Sequence, residues 1–231
     1  GNHPRCTVFL VGHCAGEMAD LPARCIIQVK GLAARCMGYH DVTTQPVRLN
    51  TMSKALQSFE FGIKDADELL AHFDAINANP PPANAEVLKR AGLVMALTAW
   101  ETYVEDRLTE EMGKKLAAVS GSYIGDFVLK KLHHDMKQFH NPNSDKTRRI
   151  FLDYLGFDVT EGWAWANFDP EKARTRLNHW ITKRGDAVHR SKPLPSGEPS
   201  AHLIKRDELE KVIRFIKDLV KATDSYIDNR I

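Results

Sequence analysis

The chain has 231 residues, of which 43% are hydrophobic and 27% are charged, and its formal net charge is +2. Such a chain can bury one good core, but the near-zero net charge excludes a bulk electrostatic attraction to nucleic acid, so any such binding must come from a local patch. No apolar run reaches transmembrane length, and the short run VFLVG has neither a basic leader nor a clear cleavage site. We therefore predict a soluble, cytoplasmic protein that makes no contact with membranes.

The first 51 residues differ in composition from the rest of the chain. They contain all of the cysteines, namely Cys6, Cys14, Cys25 and Cys36. A disulfide framework for the main body is therefore excluded. Nearby histidines leave a zinc site as an alternative, although no C-x2-C or H-x3-H pair is present. We interpret residues 1–51 as a leader that need not be native to the domain, and residues 52–231 as one domain for which we predict no metal and no cofactor.

From residue 52 onward the chain is predicted to be helical. Apolar residues recur at three- and four-residue steps from Lys54 to about Asn77, which predicts an amphipathic helix, and the prolines of NANPPPANAE end it. A second helix is predicted from about Ala85 to Val119. Its centre, AGLVMALTAWETYVEDRL, is apolar on almost every side, which is typical of the buried spine of a bundle. Glu101 lies in this run, so its carboxylate faces either solvent or a polar pocket.

Four more helices are predicted after the spine. The third lies in GSYIGDFVLKKLHHDMKQFH and ends at the NPN of 141–143, and the fourth, SDKTRRIFLDYLGF, has Ser144 as a cap and Gly156 at its end. After an aromatic, irregular segment, Pro170 opens a fifth helix. The amphipathic segment LIKRDELEKVIRFIKDLVKATDSYI closes the chain. No segment after residue 52 alternates as a strand does, so the predicted fold class is all-α, a bundle of five to six helices.

The stretch HWITKRGDAVHRSKP, at 179–193, contains the candidates for chemistry. Arg184 and His189 are five residues apart. On a straight helix this spacing corresponds to a rotation of roughly 140° about the axis and a rise of about 7.5 Å along it, so the two side chains do not share a face. Arginine holds a phosphate through a planar fork of donors, and histidine exchanges a proton near neutral pH. An RNA phosphodiester whose own 2′-hydroxyl is the nucleophile needs only these two groups and no metal.

Structural interpretations of the same residues remain open. Asp186 and Arg190 have the spacing of an i,i+4 ion pair, which contributes about 0.3 kcal/mol on a helix surface. Lys183, Arg184 and Arg190 near the end of a helix also complement its dipole. Trp163 and Trp165 are able to stack on bases, but packing over one end of the bundle is the commoner role of such aromatic residues.

The segment KRGDAVHR resembles the R-x4–6-H motif of the HEPN superfamily, a group of all-α domains that include many metal-independent RNases. The likeness extends over about residues 54–225. FHNPNSDKTRRIFLDYLGFDVTEGWAW followed by ARTRLNHWITKRGDAVHR is similar in order and spacing to HEPN families of the RiboL-PSP type. LTAWETYVEDRL resembles their apolar second helix with its embedded acid.

The resemblance implies a role for particular residues. Arg184 and His189 match the catalytic pair, Asp186 is the polar position between them, and Glu101 matches the acid that orients Arg184 or His189. Many HEPN nucleases have a polar residue directly after the arginine, whereas this chain has Gly185. Family members usually dimerise with both motifs facing one cleft, which implies a composite site that both side chains can enter.

Four further residues are candidates for contacts with the substrate: Lys183, Arg190, His140 and Asn141. For the FHNPN corner the alternative is a turn that only caps a helix. The predicted function is that of a metal-independent endoribonuclease, a toxin or defence effector that cleaves RNA by 2′-hydroxyl transesterification. Its predicted partners are RNA, a second copy of the chain, and an antitoxin or regulatory protein. The alternative is a non-catalytic HEPN module that binds RNA or a nucleotide, or that serves dimerisation.

Overall fold

The computed structural model describes residues 52–78, 82, 85–189 and 204–231, with the backbone alone for His189. The α-helical segments of these ranges are α1 (Lys54–Gly62), α2 (Lys64–Ile76), α3 (Ala85–Leu116), α4 (Tyr123–Lys137), α5 (Ser144–Leu155), α6 (Pro170–His189) and α7 (Arg206–Arg230). Short 3-10 turns follow α3 and α5, at Ala117–Val119 and Val159–Gly162. No strand occurs in the described ranges, so the predicted all-α fold is confirmed. The predicted leader over residues 1–51 lies outside them.

The predicted first helix is interrupted. Ile63 separates α1 from α2, but its backbone N–H donates to the carbonyl of Phe59, and its own carbonyl accepts from Ala66. Ile63 thus closes the last turn of α1 and opens the first turn of α2, so the predicted single helix is interrupted at one residue. Gly62, a poor helix former, directly precedes the interruption. With α1 and α2 counted together, the described residues form six helical rods, as predicted.

α3 is the spine of the bundle. Every other helix of the described residues contacts it. Its buried apolar residues cover much of its circumference, as predicted from the sequence: Leu93, Ala96, Leu97, Ala99, Trp100, Tyr103, Val104, Leu108 and Met112. The regular helix ends at Leu116, one 3-10 turn earlier than the predicted end at Val119. No helix in the described ranges is both long and apolar enough to cross a membrane.

Local side-chain chemistry sets the ends of α5. Asn143, rather than the predicted Ser144, caps its start: the Asn143 side chain accepts from the backbone N–H of Lys146 at 2.9 Å. The backbone N–H of Ser144 instead donates to the side chain of Asn178 on α6 at 2.9 Å. Gly156 ends the helix at φ 80°, a left-handed conformation that glycine adopts without strain. The start of α5 is therefore tied to α6.

A buried charge network joins α3 to α7. The Arg107 side chain is fully buried, and its guanidinium pairs with three carboxylates, those of Glu111, Asp224 and Asp228. The Asp224 carboxylate also accepts from Ser53 at the start of α1, at 2.7 Å, and from the Tyr103 hydroxyl, at 3.1 Å. Burial first, and then the Asp224 carboxylate, raise the pKa of Tyr103 well above its ordinary value. One carboxylate therefore holds three helices together.

Arg107→Met is expected to lower the free energy of unfolding by roughly 3–5 kcal/mol, because it leaves buried carboxylates without a counter-charge. Urea denaturation measures this loss. Arg206→Ala is the control, since Arg206 pairs with Asp74 while its side chain stays 39% exposed, and a surface pair contributes about 1 kcal/mol or less. A loss at Arg107 no larger than at Arg206 would show that the network does not stabilise the fold.

Candidate functional site

The FHNPN corner at 139–143 crosses the middle of α3. The buried indole N–H of Trp100 donates to the carbonyl oxygen of Pro142 at 3.0 Å. The Nζ of Lys146 donates to the carbonyl of His140 at 2.6 Å. Asn141 has φ 52°, a left-handed conformation that asparagine tolerates better than most side chains. These contacts fix the corner beside Glu101, the residue that follows Trp100.

Arg184 joins this corner to α6 and α3. Its Nη1 donates to Glu101 Oε2 and to Asn141 Oδ1, both at 2.8 Å, and its Nη2 contacts Thr98 Oγ1 at 3.3 Å. The side chains of Arg184 and Glu101 are only 16% and 15% exposed, so water screens their attraction less than at an open surface. Glu101 therefore occupies a polar pocket, one of the two environments that the sequence left open.

The other oxygen of the Glu101 carboxylate faces His140. Oε1 lies 3.6 Å from His140 Nδ1, a contact that becomes an ion pair when the imidazole is protonated, and the His140 side chain is 71% exposed. Glu105 lies one turn further along α3. Burial, followed by repulsion from Glu101, raises the pKa of Glu105 above its ordinary value. The site thus has an acidic wall on α3 opposite the guanidinium of Arg184.

The structure brings together only part of the predicted set. Arg184, Glu101, Asn141 and His140 form one cluster. Lys183 is not in it, because its Nζ donates to Glu208 on α7 at 2.6 Å and lies 5.6 Å from the centroid of the Trp180 ring. The half-buried Asp186 lies on the same helix, two residues beyond Arg184. His189 is the last residue of α6, and only its backbone is described. Its side chain and all of Arg190 lie outside the described residues.

Two residues of the site, Thr98 and Glu105, are not among those predicted from the sequence. Both were accessible to sequence reasoning, because they lie three residues before and four residues after Glu101, on the same face of a helix. Trp163, in contrast, is a core residue: it is fully buried and its indole N–H donates to Thr223 at 2.9 Å. Packing is therefore its observed role.

The contacts of Arg184 leave part of its guanidinium available. Of the five N–H donors of arginine, the three contacts above engage both hydrogens of Nη1 and one of Nη2. The Nε hydrogen and the second Nη2 hydrogen have no acceptor among the described residues. Apart from the Thr98 contact, the Nε and Nη2 edge of the guanidinium, the edge that arginine can present to two oxygens of one phosphate, has no partner among the described residues. The site can thus hold an anion while Glu101 and Asn141 fix the plane of the guanidinium.

A protein-family model described as RiboL-PSP-HEPN matches residues 62–229 of the chain. The match covers most of the chain and contains the whole Arg184 cluster, and the chain belongs to this family. The resemblance seen in the sequence is therefore confirmed. Membership supports a HEPN-type nuclease or RNA-binding module. No curated protein and no solved structure matches the chain in the corresponding comparisons.

Two replacements of Asn141 separate its backbone from its side chain. Asn141→Ala and Asn141→Gly both lose the contact with Arg184, but only glycine accepts φ 52° without strain. We expect the alanine variant to be less stable than the glycine variant by about 1 kcal/mol, as measured by urea denaturation.

The matched control is Lys130, an exposed residue inside α4. There the order must reverse, because glycine is about 1 kcal/mol worse than alanine within a helix. Equal stabilities of the two Asn141 variants, with the reversed order present at Lys130, would contradict the left-handed corner.

Proposed function

We propose that this protein is a metal-independent endoribonuclease. The observation that carries the proposal is the guanidinium of Arg184, which Glu101, Asn141 and Thr98 hold in place while its Nε has no acceptor among the described residues. Family membership supports a nuclease or RNA-binding module of the HEPN type. RNA supplies an anionic phosphodiester with an internal nucleophile, so it suits a site built from an arginine and a histidine.

In the proposed reaction the 2′-oxygen attacks the adjacent phosphorus and the bond from phosphorus to the 5′-oxygen breaks. The products are a 2′,3′-cyclic phosphate and a 5′-hydroxyl end. His189 removes the proton of the 2′-hydroxyl or donates one to the departing 5′-oxygen. Arg184 contacts the non-bridging oxygens, where negative charge grows in the transition state. Glu101 and Asn141 act through Arg184 as positioning residues.

The proposed active form is a homodimer with a composite site. Arg184 is turned toward α3, and a residue five positions further along a straight helix points roughly 140° away. We therefore propose that the two side chains that act on one phosphate come from different protomers. Two α6 ends that face one cleft supply Arg184 from one protomer and His189 from the other.

A biological role follows from the proposed cleavage. An enzyme that cuts RNA without a metal needs restraint in the cell, so we assign it a toxin or defence role under the control of an antitoxin or regulatory protein. Growth arrest on expression of the wild type in a bacterial host, and normal growth with Arg184→Ala, is the expected outcome. Equal growth in both cases would contradict the toxin role but would not bear on the proposed cleavage reaction.

A non-catalytic module that binds RNA or a nucleotide is the second candidate. Two observations favour it. Gly185 replaces the polar residue that many HEPN nucleases have after the arginine. Arg184 is also neutralised by Glu101 in a close ion pair. Such a module retains the Arg184 cluster for binding and shows no cleavage.

The experiment is cleavage of total RNA and of transfer RNA in EDTA by the wild type, Arg184→Ala and His189→Ala. Each replacement is expected to lower the rate by roughly 100-fold or more, because each removes either charge stabilisation or proton transfer. Arg206→Ala, which replaces a half-buried arginine outside the site, is the control and is expected to keep full activity. End-group analysis is expected to find cyclic phosphates.

Circular dichroism establishes that every variant is folded. Equal cleavage by the wild type and both site variants would overturn the role of the pair. Loss of wild-type cleavage in EDTA would overturn the metal-independent mechanism. RNA binding without any cleavage would support the second candidate.

A further inference from the structure

A separate pocket of about 310 Å³ lies between α6 and α7. Its size falls at the lower end of the range for small-ligand sites. Trp180 of α6, Phe215 of α7 and Phe168 from the segment before α6 contribute to its lining. Arg184 makes its contacts with α3 and the FHNPN corner instead, and none of the residues in the Arg184 cluster lines this pocket. We name it the α6/α7 pocket.

One wall of the α6/α7 pocket is aromatic and rigid. Phe168 stacks on Trp165 with ring centroids 4.9 Å apart, and the Phe215 ring lies 5.3 Å from that of Phe168. Trp165 and Phe168 exchange backbone hydrogen bonds of 3.1 Å and 2.6 Å. Between them Ala166 has φ 29°, a strained value for a residue with a side chain. A tight, strained turn therefore holds Phe168 in place.

Trp180 supplies a buried donor that has no acceptor. It is 2% exposed, and its indole N–H makes no hydrogen bond within the described residues. The two other fully buried tryptophans are both satisfied, Trp100 by the Pro142 carbonyl and Trp163 by Thr223. An unsatisfied buried donor costs free energy. The indole nitrogen of Trp180 is itself inaccessible to solvent, so this unpaired donor is a local cost of the packing beside the pocket and not a contact open to a ligand.

The pocket is also cationic. Arg176, Lys211 and Arg214 line it, against one carboxylate among the described lining residues, that of Asp218. Only Arg214 of these cations has an ion-pair partner in the described part of the chain, Glu210 at 3.2 Å. The lining thus combines three positive charges with one negative charge. It is the kind of local patch that a chain with a net charge of only +2 requires for binding an anion.

We propose that the α6/α7 pocket binds one nucleotide unit. The planar base lies against the rings of Phe168 and Phe215, and the phosphate contacts Arg176 and Lys211. An inorganic anion leaves the aromatic wall unused, and an apolar ligand leaves the cations unpaired. A nucleotide uses both.

This nucleotide has two possible sources, a free mononucleotide and one residue of an RNA strand. Binding of a free mononucleotide is independent of catalysis, whereas the RNA source rests on the proposed function, because the pocket is then a subsite beside the cleavage site. α6 contributes to both places: Trp180 lines the pocket, and Arg184 follows it by four residues, a rise of about 6 Å.

Titration with adenosine 5′-monophosphate, with a 2′-O-methyl RNA decamer that lacks the internal nucleophile, and with orthophosphate tests the proposal. The double variant Arg176→Ala/Lys211→Ala is expected to bind the nucleotide probe at least 10-fold more weakly than the wild type. Arg148→Ala is the control, since Arg148 is an exposed cation of α5 outside this pocket, and is expected to bind within 2-fold of the wild type.

Tight binding of the mononucleotide identifies a free nucleotide as ligand, and tight binding of the decamer alone identifies an RNA subsite. Binding of neither probe, or equal binding by the wild type and the double variant, overturns the proposal. Orthophosphate binding as tight as that of both probes overturns the role of the aromatic wall. If one of these negative binding results is found while the wild type still cleaves RNA, the nucleotide pocket is contradicted and the proposed function is not. Binding at the pocket without cleavage shows the failure of the proposed function alone.

Discussion

The ion pair between Arg184 and Glu101 fixes the candidate site, because it joins α6 to the middle of α3. α3 is apolar around most of its circumference, so a carboxylate at 15% exposure needs a close counter-charge. Arg184 provides that charge from α6. Trp100, the neighbour of Glu101, holds the Pro142 carbonyl and thereby brings Asn141 to the same guanidinium. Three segments distant in sequence meet at one side chain.

Helix order was predictable because local chemistry encodes it. Prolines, the Asn143–Ser144 corner and Gly156 mark helix boundaries wherever the backbone has few other options. The interruption at Ile63 was not predictable, since apolar residues recur at the same three- and four-residue spacing on both sides of it. The early end of α3 also escaped prediction, because a 3-10 turn carries the same apolar pattern as the last turn of an α-helix.

The residues of the candidate site that could be predicted are those whose side chains have a recognisable chemical role. Arg184, Glu101 and Asn141 were selected by residue type and family resemblance, and the structure places them within hydrogen-bonding distance. Arg107 was not recognised, because within ETYVEDRL it is indistinguishable from a surface charge. Its burial depends on Asp224 of α7, a partner from the far end of the chain. Likewise, the unpaired indole of Trp180 depends on tertiary packing.

The main functional inference is that Arg184 and His189 act in a cleft shared by two protomers. Mixing differently tagged Arg184→Ala and His189→Ala chains, and purifying the heterodimer, tests it most directly. Each protomer of that heterodimer lacks one member of the pair, but the shared cleft contains one Arg184 and one His189. We expect the heterodimer to cleave RNA faster than either variant homodimer. A heterodimer as inactive as both homodimers, under conditions in which the wild type cleaves RNA, would contradict a shared site.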